Sequence, residues 1–151
     1  MLLYHFGSKE RLVAEALAAS RERQREATQA WLEKQPELGP GELLRRFWSW
    51  QVDGHRPFLR LFFEVYGLAL QEEERFPDFL ERAVGDWLEF IGALLRRAGL
   101  KAAEARIAAT AVIAGYRGLL LDFLATGDRR RTERALDLLL TSLEGTYTRA
   151  A

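Results

Sequence analysis

Residues 2–12 read Leu2-Leu3-Tyr4-His5-Phe6-Gly7-Ser8-Lys9-Glu10-Arg11-Leu12, and the way this stretch is parsed decides the fold. Leu2 to Phe6 is a short amphipathic run with no capping residue before it. Gly7 stops that run, and Ser8 opens a new helix as an N-cap able to accept a hydrogen bond from an unpaired amide of the first turn. Glu10 adds negative charge at the positive end of the helix dipole, while Arg11 stands where Glu or Gln would complete a capping box. The stretch therefore reads as the tail of one helix joined to the head of another.

From Ser8 to about Lys34 the pattern is one long helix. Leu12, Val13, Ala16 and Leu17 form an apolar stripe, Ser20 to Glu26 is almost wholly polar, and Ala27, Ala30 and Trp31 resume the stripe. Such a helix packs at both ends and is wet in the middle, as expected of a rod bridging two packed regions. Pro36, Gly39, Pro40 and Gly41 make the clearest break, so the chain divides into residues 1–34 and 35–151.

Five further helices are expected after that break. Glu42 to about Val52 carries Leu43, Phe47 and Trp50 on one face, with Leu44 and Trp48 close by. Pro57 suits the start of the next, through Gln71, whose polar positions Arg60, Glu64 and Gln71 form one narrow stripe, so it is expected to be central. Pro77 suits the start of a fourth, in which Phe79, Leu80, Ala83, Trp87, Phe90, Ile91, Leu94 and Leu95 recur at helical spacing and Gly99 closes the end. The fifth, about Ala102 to Ala125, has two apolar faces, and Gly127 turns the chain into a sixth with Leu136, Leu139, Leu140, Leu143 and Tyr147 on one stripe. No strand is expected; the fold class is all-α, a bundle of about six helices.

Composition bounds the function. The chain of 151 residues suffices for one core burying roughly 68–70% of its unfolded surface. Four Trp, four Tyr and nine Phe make that core aromatic enough to line a cavity. The 22 basic and 22 acidic side chains cancel, so there is no overall field drawing the chain to nucleic acid or anionic lipid. The absence of cysteine excludes disulfides and thiol chemistry and is compatible with a reducing cytoplasm. The uncharged run Ile107 to Tyr116 is about half the ~20 residues a membrane span requires, so a soluble, cytoplasmic chain is expected.

Catalytic chemistry finds no carriers. His5 and His55 stand far apart, no Glu-x-x-His pair occurs, and Gly-rich phosphate loops are missing, so no enzyme activity, metal or cofactor is expected. Ser49 and Ser142 have no histidine partner at a suggestive spacing. His55 reads as an exposed or capping imidazole, Glu72-Glu73-Glu74 as solvated. Arg129-Arg130-Arg131 reads as a solvated face and not a DNA site, since it lacks interleaved aromatics. Among the aromatics, Tyr66, Asp86, Arg117 and Asp122 fall on or beside apolar faces, and a buried charge must be paired or line a cavity. The expected ligand pocket comprises Phe47, Phe62, Phe63, Tyr66, Trp87, Phe90, Tyr116, Arg117 and Asp122. Small residues on the fifth helix (Ala108, Ala111, Gly115, Gly118) and leucines on the sixth are expected to bury each other's surplus in a symmetric homodimer, through Val112, Gly115, Leu119, Leu136, Leu139, Leu140 and Leu143.

Leu3-Tyr4-His5-Phe6-Gly7-Ser8-Lys9-Glu10-Arg11-Leu12 closely resembles the end of the DNA-binding domain in the TetR family of transcriptional repressors, where the recognition helix closes with Leu-Tyr-His-Phe and the next helix opens with Lys-Glu and a Leu. More weakly, Gly118 to Asp128 and its Leu-rich sequel resemble the family's last two helices. The resemblance implies a helix-turn-helix remnant plus linking helix in residues 1–34, and an effector-binding and dimerisation domain in 35–151. It implies that Tyr4, His5 and Lys9 touch the DNA backbone, and that a small apolar or aromatic effector packs among the second to fifth helices and moves the linking helix. The family pattern places roughly forty residues before this stretch, holding the helix that braces the recognition helix on DNA. Specific operator binding is therefore expected only of a full-length form, the short start reflecting a late start assignment, a truncation or a natural fragment. The alternative is a stand-alone helical interaction protein or carrier of an apolar ligand.

Overall fold

Six helices follow one another in the computed structural model, which describes residues 9–35, 37–71, 74, 76 and 78–148: α1 Lys9–Glu33, α2 Pro40–Gly54, α3 Arg56–Gln71, α4 Phe79–Arg97, α5 Ala102–Thr126 and α6 Arg129–Thr148. No strand occurs among the described residues. Tyr4, His5, Ser8 and Pro77 lie outside them.

The helix ends follow local chemistry. Gly39 and His55 carbonyls accept the first intrahelical bonds of α2 and α3, so α2 starts at Pro40, two residues before Glu42, and His55 serves through its backbone. At the end of α4, Gly99 has φ 104°, and the amides of Gly99 and Leu100 return to the carbonyls of Arg96 and Leu95 at 3.0 and 3.1 Å. That left-handed closure buries Leu95 and Leu100. Gly127, with φ 71°, ends α5 in the same way, its N–H donating to Phe123 O at 2.8 Å. Asp128 then caps α6, accepting from the Arg131 amide at 3.0 Å.

The described helices fall into two units that divide the chain differently from the expected boundary after residue 34. The first unit joins α1 to α3 and the segment through Leu80, because α1 packs on α3. Leu12, Trp31 and Leu32 of α1 are half-buried and Glu22, Arg23 and Glu26 are exposed, as the wet-middle pattern requires. In α3, Leu59, Val65 and Ala69 are buried. Leu68 and Leu70 remain exposed and Leu61, Phe62, Phe63 and Tyr66 are half-buried, so α3 is flanked and not enclosed as expected.

The second unit holds α2, residues 81–97 of α4, α5 and α6. Its core is built from Leu44, Trp48, Ile91, Leu95, Val112, Phe123 and Leu140, each no more than 2% exposed. Helices α5 and α6 run against each other, and α2 covers α6. The approach of α5 to α6 is close at Gly115, where a Cβ would lie 2.7 Å from Leu139 Cδ2. Across the α2–α6 contact, Arg45 Nε donates to Asp137 and its Nη1 to Glu144, both at 2.9 Å.

Candidate functional site

The second unit contains one polar constellation inside its core. On α2, Trp48 and Gln51 lie three residues apart and so share a face; both are buried. Tyr116 of α5 meets that face: its hydroxyl donates to Gln51 Oε1 at 2.8 Å, and its ring stands edge-on to Trp48 with centroids 5.4 Å apart. Burial pushes the Tyr116 phenol well above its usual value near 10, because an anion there would lose its water. The Trp48 indole N–H is buried with no acceptor among the described residues. Beside this group Phe47 stacks on Trp50 and tilts against Trp87, at 5.4 and 5.3 Å, and Trp87 is edge-on to Phe90 at 5.9 Å.

The expected pocket residues are divided between the two units. Phe62, Phe63 and Tyr66 belong to the first unit, where Phe62 packs on Phe58, Phe63, Tyr66 and Phe79. In the second unit Phe47 and Tyr116 are core, while Trp87 and Phe90 are half-buried. Arg117 is half-buried and donates to the Ala83 carbonyl of α4. Asp122 accepts two hydrogen bonds from Arg131 at 2.6 and 2.7 Å at the surface, and Asp86 is exposed. Arg131 holds the Asp122 carboxyl below its usual range. Apolar neighbours in sequence had placed Asp122 and Asp86 near a buried face; one helical step of about 100° carries them out of it.

The arginine run behaves as expected of a solvated face with local partners. Arg129 pairs with Asp53 and Glu133, and Arg131 with Asp122 and Asp128. Both guanidinium groups are raised further above their usual value, through these hydrogen bonds first. Asp128, Arg130, Arg131 and Arg134 line a shallow depression of about 300 Å³.

The expected dimer residues are largely spent inside the chain. Val112, Leu136, Leu140 and Leu143 are buried, Gly115 sits under Leu139, and Gly115, Leu119 and Leu139 are half-buried. The face left open lies on the opposite side of α5: Ile107, Ala111, Ala114, Gly118, Leu121 and Ala125 are all exposed, Ile107 at 73% and Leu121 at 48%. Steps of four and three residues alternate along them, so they form one straight stripe with no charge on it. On α6, Leu138 is exposed at 71%. Six exposed positions without a charged side chain thus follow one another along the outward side of α5.

The hydropathy of α5 states the same fact in another way. By length and composition this helix can cross a membrane, yet only 33% of its most apolar window is buried. The uncharged run ending at Tyr116 understated this, because from Ile107 onward α5 carries just two charged side chains, Arg117 and Asp122. Two features escaped sequence reading. Gln51, a lone polar residue on the buried α2 face, was signalled by its spacing from Leu44 and Trp48. The outward stripe was signalled by its unbroken four–three spacing.

In comparison with known proteins, no family model, no curated protein and no solved structure matches the chain.

Proposed function

We propose that this chain is the effector-binding and dimerisation part of a ligand-responsive transcriptional repressor of the TetR type. The observation that carries the reading is the pairing of two features. A long, wet-middled helix follows a stretch resembling the end of a TetR recognition helix, and the final two helices leave an apolar face uncovered. The all-helical architecture agrees with it.

In this reading the protein works in the cytoplasm as a homodimer through α5 and α6. A full-length form binds its operator, with Tyr4, His5 and Lys9 facing backbone phosphates. The effector is a flat apolar or aromatic molecule, for which the half-buried rings of Trp87 and Phe90 beside Phe47 offer a stacking surface. Release of DNA is a population shift, driven by the difference in effector affinity between two positions of α1. Thermal-shift screening with aromatic acids, phenols and polycyclic compounds should find a stabilising ligand, and that ligand should lower operator affinity of a full-length form at least ten-fold. A full-length form whose operator affinity is unchanged by every stabilising ligand refutes the switch.

One observation favours the second reading, a helical interaction protein without an effector switch. Tyr116 and Gln51 satisfy each other, and Arg117 is committed to Ala83, so these polar groups are already used in folding. Subunit exchange with a full-length regulator, followed by loss of DNA binding, would support that version.

A further inference from the structure

We propose that the outward stripe of α5 pairs with the same stripe of a second copy in one defined antiparallel register, with the two-fold axis passing beside residue 116. This rests on the reading that the chain dimerises through its last two helices, and adds which residues meet.

The argument comes from the order of side-chain sizes. In chain order the exposed stripe reads Ile107, Ala111, Ala114, Gly118, Leu121, Ala125. Laid against its own reverse, Ile107 faces Ala125, Ala111 faces Leu121, and Ala114 faces Gly118. Each large side chain then meets a small one, and the two smallest residues meet at the axis. A parallel pairing would instead oppose Ile107 to Ile107 and Leu121 to Leu121, while leaving gaps between the alanines. Closed symmetric dimers require a surface complementary to itself. This stripe meets that requirement in the antiparallel sense.

The surface is also large enough. Helix α5 has 25 residues, hence a length of about 37 Å. With α6 packed beside it at a spacing of about 9 Å, the outer face is roughly 18 Å wide. That is about 700 Å² per copy and about 1,400 Å² in all, within the range of about 1,200–2,000 Å² for stable interfaces. Leu138 of α6 is a further exposed leucine, at 71%. Gly118 at the axis permits a close approach, since nothing in its own chain lies within 4 Å of where its Cβ would be. The other occupant of matching chemistry is a lipid surface. A bilayer has no preference for alternating large and small side chains, so the size order favours a second copy.

The chain has no cysteine, so introduced thiols report without background. The double variants Ile107→Cys/Ala125→Cys and Ala111→Cys/Leu121→Cys should each form a covalent dimer on mild oxidation, at least ten-fold more than any of the four single variants. Gly118→Arg and Leu121→Glu, both at exposed positions, should keep wild-type helicity by circular dichroism while raising the dimer dissociation constant at least 100-fold by light scattering. Efficient cross-linking of the single Ile107→Cys variant, or a dimer that survives both charged substitutions, overturns the register and leaves dimerisation standing. A wild-type chain that is monomeric at 100 µM overturns both. Sedimentation of that monomer with phosphatidylcholine–phosphatidylglycerol vesicles, abolished by Gly118→Arg, would assign the stripe to lipid.

Discussion

Tyr116→Phe removes one oxygen from the core of the second unit and leaves the edge-on ring contact with Trp48 in place. The loss falls on Gln51, whose Oε1 accepts the Tyr116 hydroxyl at 2.8 Å and is buried with it. An orphaned buried acceptor costs about 1–3 kcal/mol. With a urea m-value of about 2 kcal/mol/M for a chain of this size, the midpoint should fall by roughly 0.5–1.5 M. Gln51→Met alone should cost a similar amount by orphaning the hydroxyl. The double variant, with neither partner polar, should recover at least about 1 kcal/mol relative to the sum of the singles. The pair also has a pH signature. Burial raises the Tyr116 pKa in the folded state, so the folded chain holds this proton more tightly than the unfolded one. Its stabilising effect is full below about pH 10 and is lost progressively as pH rises above it. The Tyr116→Phe variant lacks that loss, so its deficit against wild type should shrink over the same rise. Urea titrations followed by circular dichroism at fixed protein concentration provide both readouts. Midpoints for Tyr116→Phe and wild type agreeing within 0.2 M at pH 7, together with parallel alkaline falls, would refute the buried pair.

Three other outcomes test the frame around that core. Gly127→Ala, at φ 71°, should cost about 1 kcal/mol and lower the melting temperature by about 3 °C, and Gly127→Asn should cost less, since Asn tolerates the left-handed region. Gly41→Ala drives a Cβ into Glu144 Oε1 and must break the Arg45–Glu144 pair, whereas Gly41→Ala/Glu144→Ala should be the more stable of the two by differential scanning fluorimetry, because the clash is gone and Ala favours the helix. Asp122 is held below its usual pKa by Arg131, so the pair stabilises the fold above about pH 4 and this contribution disappears as pH falls through the lowered value; acid titration of Asp122→Asn should lack that component.

The helices themselves were legible in the order of residues. Pro and Gly punctuation and 3.6-residue periodicity placed the six described helices within two or three residues, because breakers and amphipathic stripes act over a single turn. The same reading marked the Arg129–Arg131 run as a solvated face, since charge at that density has no route into a core. Which face of each apolar helix is covered was decided by tertiary contacts. Helix α5 has apolar residues on more than one face, so periodicity cannot separate Val112, Gly115 and Leu119, which pack within the chain, from Ile107, Gly118 and Leu121, which face outward. Only the neighbours do that: α6 occupies one flank and α2, through Gln51 and Trp48, the inner side. The grouping of α1 with α3 was likewise invisible in sequence, because it depends on which of several apolar stripes a helix meets. Burial is a property of contacts distant in sequence, and an apolar residue carries the same signal whether a neighbour covers it or a partner does.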